Sequence, residues 1–225
     1  MRSDNTLKEQ VMSAVKATGV LPCIKLHQKG DWVRYAQAMY DGGARCLEVT
    51  MTTPGVLEAV EAISTHFKGR MHVAVGTVLD ACSAREVILR GADIIVNPCI
   101  AEDVMDLANR YQVAMFCGAF TATEVFAAMR KGATAVKIFP GALGGPKYMT
   151  NLRMVFPEVN LIPSGGITEA NVAEFIRCGA CAVSGARTFM NTEMIEKEGI
   201  GWITGQVAKF VEIIKEAKKD LPDIP

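Results

Sequence analysis

Two residues of this chain stand where charged side chains are costly. Lys137 lies in Ala135-Val136-Lys137-Ile138-Phe139-Pro140, between two branched apolar neighbours. Glu48 lies in Leu47-Glu48-Val49-Thr50, another largely apolar run. A buried charge must be paired or neutralised. Desolvation of a lysine favours the neutral amine, which attacks a carbonyl carbon to form a Schiff base. A carboxylate in such a run suits proton transfer near neutral pH. Acting together, the two would trap a ketone as an iminium and move its protons. The plainer alternatives are an ion pair, such as one between these two residues, or a lysine that only binds an anionic ligand.

A second group is rich in glycine. It comprises Ile162-Pro163-Ser164-Gly165-Gly166-Ile167 and Val183-Ser184-Gly185-Ala186. Glycines let backbone N–H groups approach a phosphate or another anion, and a short helix over Thr188 to Asn191 would add its dipole. The same glycines would also serve as simple turns.

These residues need elements to position them. Eight short apolar runs recur along the chain: Pro22–Leu26, Cys46–Met51, His72–Val78, Asp93–Pro98, Ala114–Phe120, Ala135–Pro140, Asn160–Gly165 and Cys181–Ala186. They are apolar on both faces, as buried parallel strands are. Helical patterns separate them. Thr6-Leu7-Lys8-Glu9 and Thr121-Ala122-Thr123-Glu124 read as capping boxes. Thr53 and Pro54 predict an N-cap followed by the first helical residue. Asp31, Asp80 and Thr168 predict further helix starts, the last opening a helix to Cys178. Ile203, Val207, Phe210 and Ile214 mark a final helix.

A repeat sits on top of this alternation. GGARCLEV, RGADIIV, KGATAVKIF and CGACAVSGA each place Gly-Ala before a strand, at Gly43, Gly91, Gly132 and Gly179. Glycine there supplies the left-handed geometry that ends a helix. A four-fold βαβα repeat predicts an α/β TIM (β/α)₈ barrel with an extra N-terminal helix and a C-terminal helix, residues 1–225 forming one domain. An open doubly wound sheet usually has fewer strands, and no G-x-G-x-x-G follows the first strand.

In such a barrel the active site lies at the C-terminal strand ends. Lys25 falls there on the first strand, and Glu48, Thr50 and Thr52 on the second. Gly76 and Thr77 follow on the third, Asn97 and Pro98 on the fourth, and Gly118 on the fifth. Lys137 and Phe139 end the sixth, Ser164, Gly165 and Gly166 the seventh, and Ser184 and Gly185 the eighth.

Composition narrows the partners. The 24 Lys+Arg balance 24 Asp+Glu, so no basic excess is available to neutralise nucleic-acid phosphates. With 50% hydrophobic and 21% charged residues, the chain is not a disordered one. No run of about 18 apolar residues predicts a membrane span. The polar N-terminus predicts no signal peptide, and hence a cytoplasmic protein. The seven cysteines are an odd number and scattered; they read as reduced thiols acting as small hydrophobes. Cys178 and Cys181 form a C-x-x-C without a second one, and His27, His66 and His72 lack ligand spacing, so no metal is expected.

On these phrases the sequence resembles the 2-keto-3-deoxy-6-phosphogluconate and 4-hydroxy-2-oxoglutarate aldolase family, the class I pyruvate aldolases. The resemblance runs from about Pro22 to Phe189. It rests on Leu47-Glu-Val-Thr50, Gly76-Thr-Val78, Val136-Lys-Ile-Phe-Pro140 and Pro163-Ser-Gly-Gly166, in that order. It implies a TIM barrel, a homotrimer, and chemistry with no metal or external cofactor. It further implies that Lys137 is the Schiff-base lysine and Glu48 the general acid/base. Thr77 and Pro98 would line the pyruvate end, and Phe139 would pack beside the Schiff base. Gly165, Gly166, Ser184 and Gly185 would hold a phosphate. The implied reaction cleaves a 2-keto-3-deoxy-6-phospho sugar acid, 4-hydroxy-2-oxoglutarate, or both, to pyruvate plus an aldehyde.

Three positions depart from that pattern. Thr52 stands where gluconate-type relatives carry arginine, Lys25 where an arginine often ends the first strand, and Ser164 where threonine is usual. Two rival readings share the glycine signals. A sugar-phosphate epimerase would want paired aspartates or metal-binding histidines at strand ends, and neither is present. A non-catalytic sugar-phosphate binder would form no covalent adduct.

Overall fold

The computed structural model describes residues 5–27 and 30–220. Helix α1 (Leu7–Thr18) starts at the predicted capping box: Thr6 Oγ1 accepts the Glu9 N–H, and the Thr6 N–H donates back to the Glu9 carboxylate. Gly19, at φ 74°, ends α1 and lets β1 (Val20–Ile24) begin at once. Then come α2 (Trp32–Asp41), β2 (Cys46–Thr50), α3 (Val56–His66), β3 (His72–Gly76), α4 (Ala81–Leu89) and β4 (Ile94–Val96). The alternation continues through α5 (Glu102–Tyr111), β5 (Ala114–Ala119), α6 (Ala122–Arg130), β6 (Ala135–Ile138), α7 (Gly141–Val155) and β7 (Leu161–Pro163). The chain ends with α8 (Val172–Arg177), β8 (Val183–Gly185), α9 (Thr192–Glu198) and α10 (Gly201–Lys219).

All strand pairs are parallel, in the order β7-β6-β5-β4-β3-β2-β1-β8. Bridges Leu161↔Ala180 and Ser164↔Ser184 bring the two ends of that order together. The result is a nearly closed (β/α)₈ barrel with helices outside. The four repeat glycines, Gly43, Gly91, Gly132 and Gly179, all have positive φ.

Strand side chains alternate between two cores, as the period of two requires. Val20, Leu47, Val49, Val73, Val136 and Val183 face outward and pack with the helices. Leu21, Cys46, Ala74, Ile94, Phe116, Ala135 and Ile162 form a separate inner cluster, completed by Val11, Met12 and Val15 of α1. The N-terminal helix therefore plugs the bottom of the barrel.

Four local expectations need correction. The first strand runs Val20–Ile24 rather than Pro22–Leu26, because the cap at Gly19 releases the chain early, and Lys25 lies just past its end. Thr53 and Pro54 do not start α3; Gly55, in the left-handed region, is its N-cap. Thr53 instead turns inward, where its hydroxyl accepts the Leu26 N–H at 3.3 Å and meets Thr50 Oγ1 at 3.2 Å. Thr168 donates its N–H to Asn171 Oδ1 at 2.8 Å, and that turn delays α8 to Val172. Thr188 to Asn191 form no helix. Phe189 and Met190 donate their N–H groups to the Ala186 carbonyl in a turn, and Asn191 caps α9.

The C-terminal tail is part of this packing. Ile203, Val207, Phe210 and Ile214 of α10 are buried, and the helix packs on α8 and α2. Phe210 meets Phe189, in the turn after β8, edge to face at 5.0 Å. Among the described residues no helix is long and apolar enough to cross a membrane. Truncating Phe210 to alanine should destabilise the fold by about 3–5 kcal/mol through the cavity it leaves. The midpoint of urea unfolding reads this, and an unchanged midpoint would show that α10 does not stabilise the barrel.

Candidate active site

Register decides which residues meet. Strands β1 and β2 pair with Cys23 opposite Glu48. Strands β5 and β6 pair with Gly118 opposite Lys137, and β6 and β7 with Lys137 opposite Ile162. Glu48 and Lys137 both sit one step above an inner-cluster residue two positions earlier, Cys46 and Ala135. They share the inward parity. Lys137 Nζ lies 3.3 and 3.5 Å from the two Glu48 carboxylate oxygens. The side chains are 13% and 2% exposed, respectively. An ion pair this enclosed is screened little by solvent.

The pair lies in a cavity of about 280 Å³ at the C-terminal strand ends. Its wall also includes Lys25, Thr50, Thr77, Pro98, Phe139, Ser164, Gly165, Ser184 and Gly185. Three expected contact residues are not in that wall. Gly76 lies directly behind Glu48, where a Cβ would overlap the carboxylate. Thr52 is exposed and bonded to Thr50 Oγ1 at 2.9 Å. Gly166 has its back to Ala142 rather than to the cavity.

Three cavity residues went unrecognised in the sequence: Cys23, Ala186 and Arg187. Cys23 reads as one apolar position among several; its parity with Lys25 on the first strand was the available signal. Burial pushes its thiol well above the usual range. The Glu48 carboxylate adds to this, while Lys137 opposes it. The thiol therefore stays protonated beside Glu48. Arg187 follows the Ser-Gly-Ala phrase directly and carried a signal only as a charge next to an anion-type turn.

The β7 and β8 turns meet at this rim. Gly165 has φ 86°, a conformation open to glycine at little cost. The N–H group of Gly166 donates to no group among the described residues. Ser184 Oγ is buried and likewise has no hydrogen-bond partner among them. Thr188 Oγ1 donates to the Ile167 carbonyl at 2.8 Å and ties the two turns together. Opposite them Thr77 holds φ 62°. For a β-branched residue this is strained by about 1–3 kcal/mol, a cost found mostly at functional sites.

A lysine, a carboxylate and unpaired donors meet at one barrel mouth, and similarity to known proteins says to which family this mouth belongs. Residues 11–205 match the KDPG and KHG aldolase family. The chain belongs to this aldolase family. The aldolase is 30% identical over 182 residues to the 2-dehydro-3-deoxy-6-phosphogalactonate aldolase of Escherichia coli K12, covering 80% of this chain and 86% of that one. It is similar to the structure of a KDPG aldolase from Legionella pneumophila with pyruvate captured at low pH as a covalent carbinolamine intermediate. That similarity has a TM-score of 0.80 at 25% identity, over 88% of this chain and 96% of that one. A third similarity is to a cube-shaped protein cage designed by fusing symmetric oligomeric domains, with TM-score 0.83 at 26% identity, over 89% of this chain and 73% of that one. The protein is a class I aldolase, a carbon–carbon lyase.

Gly76→Ala tests the placement of Glu48. The added methyl must displace the carboxylate, and a misplacement of about 1 Å costs on the order of 100-fold in kcat. Unchanged kcat in a folded variant would show that the position of Glu48 does not matter to turnover.

Proposed function

We propose that this aldolase cleaves a 2-keto-3-deoxy-6-phospho sugar acid, 2-dehydro-3-deoxy-6-phosphogluconate or a close relative, and also 4-hydroxy-2-oxoglutarate. The products are pyruvate and an aldehyde, glyceraldehyde 3-phosphate or glyoxylate. The observation that carries this reading is the contact of Lys137 Nζ with Glu48 inside the mouth, at 3.3 Å.

The steps follow from that contact. Glu48 takes a proton from Lys137, and the neutral amine attacks the C2 ketone. Glu48 returns its proton to the carbinolamine hydroxyl, which leaves as water to give an iminium and restores the carboxylate. Glu48 then accepts the proton of the C4 hydroxyl, and the C3–C4 bond breaks. Its electron pair moves into the iminium to form an enamine, and the aldehyde departs. Protonation at C3 and addition of water release pyruvate and restore the lysine. No external cofactor takes part, because the iminium is the electron sink.

The remaining wall binds. Lys25 offers a point charge to the keto-acid carboxylate, and Thr50, Thr77 and Pro98 bound the pyruvyl end. Phe139 packs beside the iminium. Ser184, Gly165 and Gly185 face the phosphate, with the free N–H of Gly166 close behind. The resemblance that supports the activity also supports a homotrimer, and similarity to a cage built from symmetric oligomeric domains fits that assembly. We read residues 1–225 as one catalytic domain working in the cytoplasm on small-molecule substrates.

Borohydride reduction in the presence of pyruvate should add one reduced pyruvyl group at Lys137, seen by intact mass and peptide mapping. Lys137→Ala should lose both the adduct and turnover. Lys137→Arg should do no better, since a guanidinium stays protonated and cannot condense. Normal pyruvate release by Lys137→Ala would refute the assignment.

Substrate choice has its own measurement. Lys25→Met should raise KM about ten- to a hundred-fold, the cost of one charge-assisted hydrogen bond, and leave residual turnover. The phosphorylated substrate should show the higher kcat/KM in the unaltered enzyme. Equal values with and without phosphate would reduce the β7 and β8 glycines to turns and leave the lysine assignment standing.

A further inference from the structure

The active-site cavity does not end at its own rim. Lys25, Ala186 and Arg187 line it and also line a second cavity of about 620 Å³. They form the neck between the two. Lys25 and Arg187 are both exposed. Neither forms an ion pair among the described residues. Beyond the neck the second cavity is walled by Glu193 and Glu196 of α9, with Tyr35 and Asn191 nearby. The charge order from the reacting lysine outward is therefore two free cations and then two carboxylates.

The aldehyde half of a substrate held on Lys137 must extend away from it, and Lys25, Ala186 and Arg187 stand on the side of the rim that the second cavity adjoins. An anion at the far end of that half meets Arg187 at the neck. It is kept from going deeper by Glu193 and Glu196, because like charges repel. The backbone that carries Arg187 is held in place from behind. Its turn is pinned by the Thr188 bond to Ile167 and by Phe189, which packs on Phe210 of α10. A guanidinium on a fixed turn presents two parallel N–H groups to two oxygens of a carboxylate or phosphate.

We propose that Arg187 is a specificity-determining residue. It binds the terminal anion of the aldehyde half, and thereby selects 2-keto acids whose cleaved aldehyde carries a phosphate or carboxylate at its end. The proposal rests on the reading of Lys137 as the Schiff-base residue. It places a guanidinium from the β8 turn in the mouth, where position 52 of the β2 end supplies only the exposed Thr52.

The test runs the reaction in the condensation direction, with pyruvate and three aldehydes. Glyceraldehyde 3-phosphate ends in phosphate, succinic semialdehyde in carboxylate, and glyceraldehyde in a neutral hydroxyl. Arg187→Leu should lower kcat/KM for an anionic aldehyde, relative to glyceraldehyde, by about ten- to a hundred-fold, mostly through KM. Arg187→Lys should recover part of that ratio, since it keeps the charge and loses the fork. A drop confined to the phosphate or to the carboxylate aldehyde supports the proposal and names the anion. An unchanged ratio, or an equal loss on all three aldehydes, overturns it. Borohydride trapping of pyruvate by the unaltered enzyme separates the two readings. Failure to trap removes the Lys137 assignment, whereas trapping with an unchanged ratio removes only the role of Arg187.

Discussion

The contact between Lys137 and Glu48 is the constraint around which this barrel is arranged. It brings together residues of β6 and β2, on different sides of the barrel, in a space that excludes most water. Two opposite charges tolerate such burial only as neighbours, and removing one partner typically costs about 3–5 kcal/mol. The architecture serves that contact at several points. Strand register sets the inward parity of both residues, and Gly76 clears room for the carboxylate. Cys23 stays a protonated, uncharged neighbour at its side, because burial and the carboxylate both disfavour its thiolate.

The same parity divides the barrel interior into two levels. The lower level is apolar and closed by α1, which brings Val11, Met12 and Val15 against Leu21, Phe116 and Ile162. The upper level carries Glu48, Thr50, Lys137, Ser164 and Ser184. Ligand and water therefore enter from the C-terminal strand ends. Sealing one end lowers the local dielectric around the pair, and that strengthens every polar interaction formed there. It also explains why an N-terminal helix with no residue in the cavity belongs to the working structure.

The mouth distributes its cations unevenly. Lys25 arises just past β1, Lys137 within β6 and Arg187 just past β8. Lysine offers a compact point charge that can shed its proton, whereas arginine offers a permanent planar fork. The one enclosed cation is the lysine proposed for covalent chemistry, and the exposed arginine sits at the neck toward the second cavity. The turn bearing Arg187 is backed by α10 through Phe189 and Phe210. A tail without cavity residues of its own thus bears on the geometry of the site.

Much of this was legible in the sequence because it depends on local chemistry. Apolar runs on both faces, the Thr6 and Thr121 capping boxes and the repeated Gly-Ala phrases dictate alternating strands and helices, and so the barrel. Lys137 and Glu48 were conspicuous because a charge in a buried strand demands a partner. Tertiary structure decided what local signals could not carry. Thr53 looks like an N-cap, but the inward turn after β2 gave its hydroxyl the Leu26 N–H instead. Thr52 and Gly166 lie beside site residues in sequence and fall outside the cavity wall, because β2 ends at Thr50 and β7 at Pro163, and the alternation of sides ends with the strands. Cys23 and Arg187 entered the site through barrel closure between β8 and β1, a pairing between distant ends of the chain that no short window of residues contains.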